Sequence, residues 1–391
     1  MTTGHSGTQG HPVTRLYFAD KLKVALTMLV IAHHAAQPYG PTGGAWPVVN
    51  AQHSPLLGPF FAVNAAFFMG LFFLISGFFV PQSYDRKGAA DFLKSRLIRL
   101  GIPTAVFALF VSGPISFVTG PAEHLKFDSF AALAAFVGYL YDRAWAPLYA
   151  HLWFLLHLLL YGLIYALWRR YRPLSLGRRG KAGAHPTHGQ IIIFLLALAG
   201  VTWVVRIWYP IDRWVALFFL IPSEIAHLPQ YFSLFMIGVL AARRGWPQHT
   251  PAHLGILWLR IGLIAAGLFY LLCLAGPQLV TADLAKGGMS WESMVWCFWE
   301  AIICTGFCVG LPVWFRERFK LPPGGLMRAL ISAAYGAYII HILIVIALQF
   351  CLQAAPLPAL AKFALVTMAG IAISFSLSHA LRYIPGVTKV L

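Results

Sequence analysis

A pair of histidines near the end of the first apolar stretch is the pattern best suited to chemistry. The stretch begins with Asp20, Lys21 and Lys23, and ten residues separate Lys23 from His34, with His33 alongside. At about 1.5 Å of rise per residue, a helix places His34 roughly 16 Å further along the axis, near or beyond the centre of a bilayer. A desolvated imidazole is normally neutral and can accept a proton from a hydroxyl. The alternative is a packing histidine bonded to a nearby backbone carbonyl.

A basic pair precedes the third apolar stretch. Arg96 and Arg99 are three residues apart, so a helix would place them on one face at the mouth of the bundle. Guanidinium groups there suit the phosphates of a polyanionic ligand. The same segment carries further cations: Arg86, Lys87 and Lys94. For Arg86 and Lys87 the basic character is explained by membrane insertion alone, whereas Arg96 and Arg99 run directly into apolar helix and are interpreted as ligand contacts.

Four further polar or aromatic residues lie in or at the ends of apolar stretches, where ionisable groups are functional candidates. Glu300 is predicted midway along a helix, where it would orient an imidazole, bind a sugar hydroxyl, or be protonated and bonded within the bundle. His341 is predicted mid-helix as a partner of Glu300 or as a structural donor. His151 and Trp153 lie at a predicted helix end, a position typical of the membrane interface or of a sugar platform.

These residues must be positioned by a helical membrane bundle. Of the 391 residues, 59% are hydrophobic and 10% charged, which is typical of neither a soluble nor a disordered chain. We predict an all-α, polytopic transmembrane bundle of about ten spanning helices. The predicted helices cover 22–40, 58–80, 96–118, 149–168, 190–209, 226–243, 254–276, 291–314, 329–353 and 357–380. Two shorter apolar runs, Phe130 to Tyr141 and Trp214 to Ile221, are predicted to be interfacial or re-entrant.

The Lys and Arg residues fall almost entirely in every second polar segment between the apolar stretches. By this topology, 23 of the 29 Lys and Arg residues fall on one side and six on the other. The positive-inside rule then predicts that both termini are cytoplasmic and that the protein spans a bacterial inner membrane. The net charge of +17 follows from this topology and favours contact with anionic lipid over nucleic acid. Residues 1–14 are predicted to be a disordered cytoplasmic tail, and 15–391 a single transmembrane domain.

Small residues cluster on one predicted helix. Cys297, Cys304 and Cys308 share a face beside Gly306 and Gly310. Three thiols on one face suggest a metal or thiol site, but small apolar residues that allow close helix approach are the preferred interpretation. We therefore predict no metal.

The chain resembles the acyltransferase family 3 of integral-membrane enzymes. The family's first-helix signature is a basic residue, ten intervening residues and a His, here Lys23 and His34, although the family usually has Arg at the first position. Lys lacks the bidentate fork of Arg, and Arg15 is the residue that would compensate. Other segments resemble the family in order along the chain: Phe72 to Phe78, Arg96 to Pro103, His151 to Leu155, Tyr335 to His341 and Arg382 to Gly386. The third and last of these resemble the glucan-modifying branch, which includes succinyltransferases of periplasmic glucans.

The resemblance implies an O-acyltransferase. The donor would be acetyl- or succinyl-coenzyme A from the cytoplasm, held by Arg96, Arg99, Lys23 and Arg15. The acceptor would be a hydroxyl of an extracytoplasmic glycan, and the transfer is expected to finish within the membrane domain. His34 would be the general base, with Glu300 assisting, and His151, Trp153 and His341 would contact substrate. Two other interpretations are a glycolipid transporter or flippase and a non-catalytic scaffold for envelope-glycan assembly. The oligomeric state is not predicted.

Overall fold

The structure, a computed structural model, describes residues 16–41, 46–112, 150–172, 185–218, 220–276 and 287–390. Ten α-helices of six or more residues are found in these ranges. They are α1 Tyr17–Ala36, α2 Leu57–Arg96, α3 Ile102–Phe107, α4 Trp153–Tyr171, α5 His188–Trp208, α6 Leu228–Arg244, α7 Ala252–Ala275, α8 Trp291–Arg318, α9 Gly325–Leu352 and α10 Ala359–Leu381. π-Helical turns, Leu97–Gly101 and Ala108–Ser112, flank α3.

The predicted all-α, polytopic bundle is confirmed. Within the described ranges, eight helical segments are long and apolar enough to cross a membrane. α1 is not among them because Asp20, Lys21 and Lys23 charge its first turns. α2 and α3 count as one because the chain stays helical from Leu57 to Val111. The remainder of the third predicted helix after 112, the run 130–141 and the tail 1–14 lie outside the described residues.

An elbow in α2 leads the chain from the bundle to the basic segment. Gly88 has φ of 77° and ψ of 172°, a left-handed conformation that a residue without a Cβ adopts readily. At about 1.5 Å per residue, the part of α2 before Gly88 is already longer than a bilayer is thick. The residues after Gly88 therefore change direction and carry Arg96 to the end of the bundle.

Close glycine contacts hold the helices together. A Cβ added at Gly77 of α2 would lie 2.1 Å from the Phe235 backbone oxygen of α6, and one at Gly238 of α6 would lie 2.1 Å from the Leu74 oxygen of α2. Gly306 of α8 packs in the same way, with an added Cβ only 2.8 Å from the Trp258 oxygen of α7. These backbones approach as closely as small residues allow in membrane helix pairs.

A two-stranded antiparallel hairpin lies between α5 and α6. Its strands are β1 Trp214–Leu217 and β2 Ile221–Glu224, so the short apolar run predicted here as interfacial or re-entrant forms most of a β-hairpin. The Asp212 backbone N–H donates to Glu224 Oε1 at 2.7 Å, which fixes the hairpin base. Burial raises the pKa of the Glu224 carboxyl, and the Asp212 N–H and Arg206 partly offset this.

Candidate active site

Three histidines from separate parts of the chain converge inside the bundle. His34 lies in the last turn of α1, His151 in a short 3-10 turn before α4, and His341 in the middle of α9. The ring centroid of His34 is 5.0 Å from that of His341 and 6.2 Å from that of His151. His151 and His341 are 4.6 Å apart. The structure thus brings together three of the predicted site residues, although His34 and His341 are 307 positions apart in the sequence.

Hydrogen-bond partners assign the protons on two of these rings. His341 Nδ1 lies 2.6 Å from the Tyr338 carbonyl oxygen, which only accepts, so this nitrogen carries the proton. In a neutral ring, Nε2 of His341 then holds the lone pair, and it faces His34 Nδ1 at 3.1 Å. His34 Nδ1 also faces the Val30 carbonyl oxygen at 3.0 Å. Because both its partners are acceptors, His34 Nδ1 is the donor.

The lone pair of His34 is consequently on Nε2. The described residues supply no hydrogen bond to that atom. A neutral imidazole held through Nδ1–H, with Nε2 free, has the arrangement of a general base. The carbonyl contact expected of a packing histidine is also present, because Val30 shares the Nδ1 proton.

His151 presents a second unused lone pair. Its Nε2 lies 2.9 Å from the Tyr338 carbonyl oxygen and 3.1 Å from that of Ile339, so Nε2 carries the proton. Nδ1 is then an acceptor, and it is buried with no hydrogen-bond partner among the described residues. The Tyr338 hydroxyl in turn donates to the His151 carbonyl oxygen at 2.6 Å. Buried acceptors without partners are rare in folded proteins and indicate a place for a water molecule or a ligand.

A tryptophan and a glutamine lie against the end of α1. The Trp46 indole stacks on the His34 ring with centroids 5.7 Å apart and planes at 20°. Its Nε1–H donates to Gln349 Oε1 at 2.8 Å. Gln349 Nε2 donates in turn to the carbonyl oxygens of His34, at 3.0 Å, and Ala35, at 3.2 Å. These bonds hold Trp46 beside the imidazole without occupying Nε2. Sequence reasoning missed both residues, since neither lies in an ionisable motif.

Arg99 is connected to the histidines through α9. Pro103 has no N–H, so the helix cannot make its usual bond to the Arg99 carbonyl four residues earlier. The Tyr335 hydroxyl donates to that carbonyl instead, and the Arg99 guanidinium lies 5.7 Å from the centre of the Tyr335 ring. Tyr335 precedes His341 by six residues, about 9 Å along the helix axis. A π-turn spans Arg99, a form of winding that recurs at functional sites.

The structure describes two of the remaining predicted donor contacts, Arg96 and Lys23. Arg96 packs against Gly162 of α4, while Arg99 faces α9, so the two do not share the face expected from their spacing. π-Winding turns less per residue than an α-helix and separates them. Lys23 pairs with Asp20 at 3.0 Å, and its side chain is 37% exposed. Arg15 lies outside the described residues.

Glu300 lies away from the three histidines. Its Oε2 is 2.6 Å from Arg206 Nη1, and the Arg206 side chain is 1% exposed. Arg206 also contacts His227 Nδ1 at 3.3 Å, while Glu300 Oε1 accepts from Trp296 Nε1 at 3.0 Å. The structure therefore pairs Glu300 with a guanidinium and not with an imidazole. Sequence reasoning counted Arg206 only as an outer-side charge, although an arginine inside an apolar helix requires a counter-ion.

Trp153 lies beside the histidine cluster but not in it. Its indole stacks on Tyr231 with ring centroids 5.4 Å apart, and Trp214 of the hairpin meets it edge-on at 5.9 Å. The side chains form an aromatic wall between α4, α6 and β1. In the described part of the chain, no group of three or more His, Cys, Asp or Glu side chains is arranged so that it could hold a metal ion. The three buried cysteines of α8 are free, and the Sγ of Cys297 lies 3.7 Å from Arg206 Nη1.

The helical bundle, with eight described segments that could cross a membrane, defines a polytopic membrane protein. The chain matches the acyltransferase domain family over residues 16–379 and belongs to that family. It is therefore a multi-pass membrane protein of the acyltransferase domain family.

The curated proteins that are similar to this chain include glucan biosynthesis proteins. The chain is 29% identical over 237 residues to the glucans biosynthesis protein C of Salmonella agona, of Salmonella dublin and of Salmonella enteritidis. The match covers 59% of this chain and 59% of each relative. No solved structure matches the chain.

Proposed function

We propose that this protein is an acyl-coenzyme A-dependent O-acyltransferase in which His34 is the general base. The observation that carries the proposal is the Nδ1–H of His34 shared between Val30 and His341, which leaves Nε2 as the lone pair. His34 Nε2 would take the proton of the acceptor hydroxyl as its oxygen attacks the thioester carbonyl carbon. The carbon–sulfur bond then breaks, and the departing thiolate receives the proton.

The acyl-coenzyme A donor enters from the predicted cytoplasmic side of the bundle, where Arg96 and Arg99 lie. Arg99 and Arg96 offer guanidinium groups to the coenzyme A phosphates, with Lys23 and Arg15 as further cations. α9 connects the two ends of this route, because Tyr335 contacts Arg99 and His341 contacts His34 about 9 Å further along the helix axis. An acetyl or succinyl thioester entering beside α9 would reach His34 in a site that excludes bulk water, which limits hydrolysis.

The acceptor enters from the side of the membrane opposite the donor. It is a hydroxyl of an extracytoplasmic glycan, and the protein lies in a bacterial inner membrane. The similarity to glucans biosynthesis protein C favours a glucan. The groups offered to a sugar are His151, whose Nδ1 has no hydrogen-bond partner among the described residues, and the aromatic wall of Trp153. We propose no catalytic role for Glu300, because its carboxylate forms an ion pair with Arg206.

His34→Gln tests the base directly. Without a basic nitrogen the chain should fold and bind acyl-coenzyme A, yet release coenzyme A thiol in the presence of an acceptor glucan at least about 10²-fold more slowly. His33→Gln is the matched control, because His33 lies one residue away among the rings of Phe60, Phe61 and Phe68. Full activity of His34→Gln would refute the base role. Absence of thiol release by the wild type would favour the transporter or scaffold interpretation.

His341 is proposed as a positioning residue. It fixes the tautomer of His34 and does not reach the reacting atoms. His341→Gln keeps an acceptor on the end of a flexible side chain, whereas His341→Leu removes it. We expect kcat to fall in the order wild type, His341→Gln, His341→Leu, with the KM for the donor unchanged. Equal losses in both variants, or a loss confined to KM, would contradict this role.

A further inference from the structure

A buried lysine lies in a cavity on the side of the bundle away from Arg99. The cavity has a volume of 620 Å³ and is lined by residues of 49–52 and 353–358 together with Lys362. Lys362, in the first turns of α10, is 4% exposed. A cavity of this size accommodates a small ligand such as a sugar unit.

The Lys362 ammonium has only neutral partners in the described part of the chain. Its Nζ donates to Asn50 Oδ1 at 3.0 Å and to the Gln353 carbonyl oxygen at 3.0 Å. An ammonium has three donors, so one remains for a ligand. The cavity lining contains no acidic residue, and neither does the neighbouring segment 42–45 in the sequence. Burying a charge without a counter-ion is costly, which indicates that an anion completes the site.

The cavity is connected to the histidine cluster through α9. Gln353 follows Gln349 by one helical turn, and Gln349 donates to the carbonyl oxygen of His34 at 3.0 Å. Gln353 Nε2 also donates to the Val49 carbonyl oxygen at 3.3 Å, which ties the cavity wall to the segment bearing Trp46. A ligand held at Lys362 would therefore lie within a few helical turns of the imidazole.

We propose that this cavity binds an anionic substituent, a phosphate or a carboxylate, of the sugar acceptor, with Lys362 and Asn50 as its specificity determinants. This inference rests on the proposed function, because it names the class of acceptor. A hydroxyl of the same molecule then extends towards His34. The alternative is purely structural: Lys362 satisfies a carbonyl at the end of α9, as cations at helix C-termini often do.

Ligand preference separates the two explanations. The full chain in nanodiscs of neutral lipid is titrated with glucose 6-phosphate, glucuronic acid and glucose at constant ionic strength, without acyl donor. We expect the two anionic sugars to bind at least about tenfold more tightly than glucose, which is the scale of one charge-assisted hydrogen bond. Lys362→Met should abolish this preference, and Lys362→Arg should keep most of it.

Arg213→Gln is the matched control. Arg213 is exposed and is predicted on the same side of the membrane as Lys362. Its guanidinium donates to the Trp208 carbonyl oxygen at 2.8 Å and does not line the cavity. Its loss should leave the preference intact. Equal binding of charged and neutral sugars by the wild type, or a preference that survives Lys362→Met, would overturn the inference. Displacement of glucose 6-phosphate by an equal concentration of inorganic phosphate would also overturn it, since the anion alone would then suffice.

Failure of the proposed function has a different signature. Because binding is measured without donor, an enzyme that discriminates anionic sugars but never releases coenzyme A thiol would refute only the transferase chemistry. An enzyme that acylates neutral and anionic sugars equally well would refute only the role of the cavity.

Discussion

At the scale of single residues, backbone carbonyls determine which ring nitrogens of the three histidines carry protons. Tyr338 offers its oxygen to both His341 and His151, and Val30 offers its oxygen to His34. A carbonyl cannot donate, so each contact fixes a proton on one ring nitrogen and a lone pair on the other. The polarity of the site is thus set by main-chain geometry, with no carboxylate needed beside the imidazoles.

The Arg206–Glu300 pair gives a prediction at this scale. Removing one partner of a buried ion pair leaves an uncompensated charge, so Glu300→Ala should destabilise the protein by about 3–5 kcal/mol. The double variant Arg206→Met, Glu300→Leu removes both charges and should recover most of that loss, along with transfer activity. Thermal unfolding in detergent and thiol release would measure the two effects.

A stable but inactive double variant would contradict this structural role and would return Glu300 to the catalytic position that its place in the sequence suggested. Glu292→Ala is the matched control, because Glu292 lies in the first turn of the same helix and has no ion pair with another described residue.

At the scale of helices, the contact of α2 with α6 is the most sensitive to added volume. In Gly238→Ala the new methyl would meet backbone atoms of α2, the Leu74 oxygen at 2.1 Å and the Phe78 nitrogen at 2.8 Å. Backbone cannot move aside as a side chain does, so we expect a loss of about 1–3 kcal/mol and a lower unfolding temperature.

Gly200→Ala is the matched control for Gly238→Ala. Gly200 lies inside α5 with no atom within 4 Å of an added Cβ. Alanine is favoured over glycine by about 0.5–1 kcal/mol in a helix interior, so this variant should unfold at the same or a higher temperature. An equal effect of the two substitutions would show that the α2–α6 contact does not limit stability.

The sequence predicts most of the helices well and their arrangement poorly, and α2, predicted to end at 80, continues to Arg96. Hydropathy and charge place α4 and α8 within a few residues of their observed ends, because a membrane span has a defined length. The position of a residue along its predicted helix also gives its depth in the bilayer. On this basis His34 and His341 are each predicted as a site residue. Neighbouring helices are not encoded by any local pattern, so the meeting of these two rings, and the pairing of Arg206 with Glu300, required the structure.

At the scale of the whole molecule, residues predicted on one side of the membrane contact one another. Asp85 bonds to Arg169 at 3.2 Å and to Arg243 at 2.5 Å, all three from the side rich in Lys and Arg. Lys362 and Asn50 meet on the opposite side. This segregation agrees with the predicted alternation of loops, whereas the location of the termini stays a prediction.

Cysteine labelling tests that orientation. Cys351 is exposed in the last turn of α9, on the predicted outer side. Cys273, a half-buried free thiol in the last turn of α7, is first replaced by Ser. A membrane-impermeant maleimide should then label Cys351 in intact spheroplasts, and Cys351→Ser should abolish the signal. In that background, Thr388→Cys should react only after permeabilisation. Labelling of Thr388→Cys in intact spheroplasts would place the C-terminus outside and reverse the assigned routes of donor and acceptor.

The contact between His341 and Tyr338 has a bioenergetic consequence. An amide oxygen does not take up a proton near neutral pH, so the Tyr338 carbonyl cannot pass on a proton from His341. Under the proposed reaction, the hydrogen abstracted from an external alcohol has no relay across the bilayer and departs with the thiol into the cell. Each ester formed would then exchange one hydrogen for one acyl group across the bilayer, with no net transfer of charge and no drain on the proton-motive force.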